Sequence, residues 1–107
     1  MPTLVTSGTT ATDGTEQTLA TDTSNKNYVF VIDTNAMANS DTIRVRLKTK
    51  VLSGGTSRIA YEYFYADVQG EPQKYSAPVP ANIELVVTLT RIAGTDRSYP
   101  WALLSVN

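Results

Sequence analysis

Apolar and polar positions alternate along most of this chain, and the alternation divides it into short extended segments. The clearest is "TIRVRLKTKVL" (42–52), with Ile43, Val45, Leu47, Thr49 and Val51 on one face and Arg44, Arg46, Lys48 and Lys50 on the other. A period of two is the signature of a half-buried strand. "TEQTLAT" (15–21) reads as another strand, and "NYVFVID" (27–33) is apolar on both faces, which predicts a central one. "SRIAYEYFYADV" (57–68), "NIELVVTLTRIA" (82–93) and "SYPWALLSV" (98–106) continue the series. "QKYSAPVP" holds Pro78 and Pro80, which cannot donate to a ladder, so it belongs at an edge or at a crossing between sheets. "TNAMANSD" reads as a loop or a single helical turn, and no window sustains a helical period. With the Thr-rich opening this makes about eight short strands. They predict an all-β, single-domain antiparallel β-sandwich, jelly-roll-like, or a small barrel.

The glycines at 54 and 55 mark a hairpin between segments 42–52 and 57–68. If Ser53 to Gly55 form a three-residue connection, Ile43 faces Tyr65, Val45 faces Tyr63 and Leu47 faces Tyr61. That face is then apolar throughout. On the other, Arg46 faces Glu62 and Lys48 faces Ala60, which leaves a cationic strip only partly neutralised. A slip by one residue would set cations against tyrosines and mix the faces, which a half-buried sheet resists. The predicted core comprises Phe30, Ile32, Ile43, Val45, Leu47, Val87, Leu89 and Trp101, with Tyr61, Tyr63 and Tyr65 read as core aromatics.

Residues 1–13 differ in kind. Nine of the first 23 residues are Thr, and Leu4 and Val5 are the only sizeable apolar groups before residue 14. So little burial cannot offset the backbone entropy of ordering, about 1–2 kcal/mol per residue. The expectation is an arm (1–13) on a sandwich domain (14–107), held either by adding a strand to a sheet edge or by lying along a neighbouring subunit. Thr3, Leu4 and Val5 of the arm, with Arg44, Arg46, Lys48 and Lys50 of the strip, are the candidate partner-binding residues.

Composition removes most chemistry. Among 107 residues there is no Cys and no His, so thiol nucleophiles, Ser-His and Cys-His pairs, disulfides and the usual zinc, iron and copper sites have no ligands or bases to build on. Asp22, Asp33, Asp41 and Asp67 fall at strand ends, where short acidic residues cap turns. Neither "DTSNKN" nor "DTNAMANSD" has the alternating oxygen ligands of a calcium loop, and "SGGT" lacks the helix that would aim amides at a phosphate. No enzyme activity and no cofactor are expected. A net charge of -1 and a pI near 5.2 supply no basic field, which argues against nucleic acid. The opening has neither the basic start nor the apolar block of a signal, and no apolar run reaches the length of a membrane span, so a soluble protein without a membrane partner is expected. Six Tyr and one Trp permit a sugar-stacking platform as a rival reading.

The segments "GTEQTLAT", "KVLSGGTSR", "PVPANIELVVTL" and "AGTDRSYPW" together resemble small all-β proteins encoded among the virion genes of tailed bacteriophages, head decoration (cement) and other accessory structural proteins among them. The resemblance runs over most of the chain from residue 14. It implies a role by assembly without catalysis: many copies, themselves oligomeric, bound to the major capsid protein or another virion protein and built into the virion in the bacterial cytoplasm. The cationic strip, by default a solvated face whose charges also prevent edge pairing, would in that case face an acidic lattice, where charge orients docking. The alternative that stays open is a carbohydrate-binding or receptor-binding sandwich of a fibre or adhesin.

Overall fold

The computed structural model describes residues 2–106, which form strands β1 (Thr3–Ala11), β2 (Gln17–Asp22), β3 (Lys26–Asp33), β4 (Thr42–Thr49), β5 (Arg58–Ala66), β6 (Gln73–Tyr75), β7 (Val79–Ala81), β8 (Leu85–Ala93) and β9 (Ser98–Val106). A front sheet runs β1-β9-β3-β6, with β7 also on β3, and a back sheet runs β2-β8-β4-β5. All pairs are antiparallel. Two stacked sheets in this order, with successive strands crossing between them, make a jelly-roll sandwich and not a closed barrel.

Alternation explains the layers. Tyr28, Phe30 and Ile32 of β3, Tyr99 and Leu103 of β9, Ile43 and Leu47 of β4, and Leu85, Val87 and Leu89 of β8 are all at most 1% exposed. Val45 and Trp101 complete the predicted core. β3, apolar on both faces, lies between β9 and the β6/β7 edge as expected of a central strand. Segment 73–80 breaks into two three-residue strands, and the gap between them is bridged by Ser76, whose amide donates to the Phe30 carbonyl and whose Oγ accepts the Phe30 N–H. This break makes nine strands of the eight expected. "TNAMANSD" is a turn that buries Met37.

The β4–β5 register is the predicted one for Ile43↔Tyr65, Val45↔Tyr63, Arg46↔Glu62 and Leu47↔Tyr61. Beyond Leu47 it shifts. Lys48 pairs with Ile59 in place of Ala60, because a bulge inserts one extra residue into β5. The connection is also longer than three residues, since β4 ends at Thr49 and β5 begins at Arg58. Gly54, at φ 79°, supplies the left-handed step within it. Val51 therefore lies in the loop, 85% exposed, and not on the apolar face.

A polar cluster locks one end of the sandwich. Asp41 is buried and accepts the Ala38 and Thr95 amides and Arg97 Nε, while its own carbonyl accepts the Asp67 amide. Asp67 in turn accepts the Ser40 amide, and Thr12 exchanges bonds with Arg97. Four loops that leave different strands are thereby joined.

Candidate functional site

Arg44, Arg46 and Lys48 project from the outer face of the back sheet, and Lys50 follows the end of β4. The strip they form is far less cationic than the hairpin alone implied. Arg46 donates through Nε to Glu62 at 2.6 Å and reaches Glu16 at 3.5 Å. Lys48 Nζ lies 3.1 Å from the same Glu16 oxygen, and Lys50 Nζ lies 3.5 Å from Glu84. Glu16 also accepts the Thr88 hydroxyl at 2.7 Å. That hydrogen bond, with Lys48 and Arg46 behind it, holds the Glu16 carboxyl below its usual range, and Glu62 stabilises the charged Arg46 guanidinium. Glu16 and Glu84 come from the β1–β2 turn and the start of segment 82–93, too far along the chain for a hairpin argument to reach.

Arg44 is the exception. Among the described residues it pairs with no carboxylate, and its Nε is buried without a partner. It stands between Phe64 on β5 and Thr90 on β8, whose Oγ1 is likewise buried and unpartnered. What remains of the cationic strip is this one guanidinium.

The expected arm holds an integral edge strand. β1 pairs with β9 from Thr3↔Ser105 to Ala11↔Ser98, so the first of the two expected modes, strand addition to a sheet edge, operates within the chain itself. Met1 lies outside the described residues. Leu4, opposite Leu104, is 59% exposed. Val5 sits at a bulge between Leu4 and Thr6 and packs against the core. Thr3 is exposed at the strand's start. The arm residues and the cations thus occupy different sheets, and the fold does not bring them together.

The aromatic residues divide. Tyr65 is buried, with its hydroxyl pushed up to about 12 by burial and by Tyr61 and Tyr63, and Lys74 stands over its ring at 5.8 Å. Tyr63 is half exposed, because β5 is the edge of the back sheet and overhangs the core. It was expected inside. Trp101 is buried, donates its indole N–H to Thr10 Oγ1 at 3.0 Å and lies under Gly8, so its ring face offers no platform to a sugar. Asp22 and Asp33 cap turns through Ser24 and Asn35, whereas Asp67 accepts the Ser40 amide from another loop.

The sequence reading missed the outer face of the front sheet. Val29 and Val31 on β3 and Ala102 and Leu104 on β9 lie side by side there, flanked by Leu4 and the exposed ring of Tyr75. The signal was present, since β9 is apolar at both parities, as β3 is, and two such neighbours leave an apolar outer surface unless another layer covers it. No family model matches the chain, and neither a curated protein nor a solved structure shows significant similarity to it.

Proposed function

We propose that this chain is a non-enzymatic structural protein that works by binding other proteins in an ordered assembly, and more specifically a capsid decoration protein of a tailed bacteriophage. The observation that carries the assembly reading is β1, a Thr-rich strand that is exposed over most of its length and paired on one side only, at the edge of the front sheet. Its outward backbone donors and acceptors are a template for a strand of a lattice protein. The sequence resemblance supplies the virion context. The jelly roll is compatible with that context by analogy alone, because viral capsid domains and lectins share it.

Arg44 is the residue of the strip that has charge to offer an acidic lattice. Arg46, Lys48 and Lys50 serve the sandwich itself through Glu62, Glu16 and Glu84.

The test is incorporation into particles. Capsids purified with the chain supplied should carry it at a fixed ratio to the major capsid protein. Of Thr6→Pro and Ser7→Pro, one removes a ladder bond to β9 and the other removes only an outward donor. The variant that keeps its melting temperature should lose incorporation. Undiminished incorporation of both, or no binding by the parent chain, would refute the edge-strand reading.

A further inference from the structure

One row across the outer face of the front sheet carries a gradient of side-chain size. Ser7, Ala102, Val31 and Tyr75 stand abreast on β1, β9, β3 and β6, each in register with the next. The row runs from two small side chains, hydroxymethyl and methyl, through isopropyl to hydroxybenzyl across four adjacent strands. Tyr75, 59% exposed, rises at one end of the row, and the small Ser7 of β1 leaves a shallow step at the other.

The face is also almost without charge. Tyr28, Phe30 and Ile32 of β3, and Tyr99, Trp101 and Leu103 of β9, are buried inward, so alternation assigns the intervening residues to the outside. Among the described strand positions assigned to that side, Asp33, at one margin, is the charged one. The back sheet's outer face, by contrast, holds the Arg46, Lys48, Glu16 and Glu62 network.

We propose that this face is a two-fold interface between two copies of this chain. A half-turn about an axis lying in the interface, along the strands and between β9 and β3, sets the row on itself in reverse. Tyr75 of each copy then fills the step over Ser7 of the other, and Val31 meets Ala102. An isologous contact needs this property, a patch that fits its own image. A face with a single charge gives an acidic or basic partner little to select, whereas an apolar surface of graded height selects its own complement. The area suffices. β1, β3 and β9, about 4.8 Å apart and about 30 Å long, with the three-residue β6 and β7 beside β3, present roughly 500 Å² in projection, more with side-chain relief, near the roughly 600 Å² per partner at the lower end of standard interfaces. The proposal does not depend on the virion reading, because it concerns the chain in solution.

The absence of Cys makes the test direct. Ser7 and Tyr75 of one chain are three strand spacings apart, about 14 Å, beyond the roughly 7 Å within which a disulfide closes. Ser7→Cys and Tyr75→Cys variants, oxidised separately and mixed, should therefore give mixed covalent dimers and few dimers of either variant alone. Sedimentation equilibrium of the parent chain should show a dimer. Ala102→Arg should weaken it by about 100-fold or more, by burying a charge without a partner, while leaving the circular dichroism spectrum unchanged. A parent chain that is monomeric up to millimolar concentration would overturn the interface. So would Ser7→Cys self-dimers that form as fast as mixed ones, which would mark edge-to-edge pairing through β1. If Ala102→Arg does not fold, the cysteine mixture still decides.

Discussion

Arg97 Nε donates to Asp41 Oδ2 at 2.5 Å across 56 residues of sequence, and it ties the turn before β9 to the turn before β4. The Ala38 and Thr95 amides, and then Arg97, hold the Asp41 carboxyl down at about 2, against an ordinary value of 3.8. The folded value is the lower one, so the stabilisation is fully present above pH 4 and is lost as pH falls through about 2. Chemical denaturation at stepped pH should show stability falling across that window. In Asp41→Asn most of this acid dependence should disappear, together with about 2–4 kcal/mol of stability at neutral pH.

Gly94 is required by the same carboxylate. It sits at φ 88°, and a Cβ on it would lie 2.2 Å from Asp41 Oδ1 and 2.8 Å from the Ser40 carbonyl oxygen. Backbone strain alone should make Gly94→Ala cost roughly 1–3 kcal/mol, with the collision added to it. A melting temperature unchanged from the parent would show that the loops relax freely.

Leu47 is fully buried between the sheets, whereas Val51, four residues on, stands in solvent. Leu47→Ala should cost about 2–5 kcal/mol, and Val51→Ala should fall within about 0.5 kcal/mol of the parent. Urea unfolding of the two variants measures the contrast directly.

Neutralisation of the cationic strip predicts weak binding to polyanions. The parent should elute from immobilised heparin at low salt, and Glu16→Gln with Glu62→Gln should retard it by releasing Arg46 and Lys48. Equal retention of both proteins would mean that the pairs do not hold in solution.

The fold was legible wherever a segment declares its own two faces. β4, β3 and β9 are of this kind, and for β4 and β5 even the pairing could be read, as far as Leu47↔Tyr61. The bulge that follows was not legible, because an extra residue in an edge strand leaves no mark in composition. Tyr63 shows a second limit. Its alternation is that of a core residue, but whether an inward face is covered depends on where the opposite sheet stops. The strip failed for a third reason: its neutralising partners Glu16 and Glu84 arrive through strand neighbours that only the three-dimensional order supplies. Of the surfaces, the Thr-rich edge was visible as an anomaly of composition. The apolar outer face was visible in β3 and β9 separately, and became a surface only when the two were known to be adjacent.

In the jelly-roll order only β4 and β5 are neighbours both along the chain and within a sheet. Every other ladder joins strands with at least one element between them, and β1 waits for β9. Chains dominated by such distant pairings fold in milliseconds to seconds, because loop closure must precede the contacts that reward it. During synthesis, the back sheet can assemble around the β4–β5 hairpin once β8 has emerged. The front sheet has no middle until β9 leaves the ribosome, since both β1 and β3 pair with it. The nascent protein therefore passes through a stage in which one layer is built and its apolar inner face has no lid. A cell that makes many copies must keep those half-sandwiches apart.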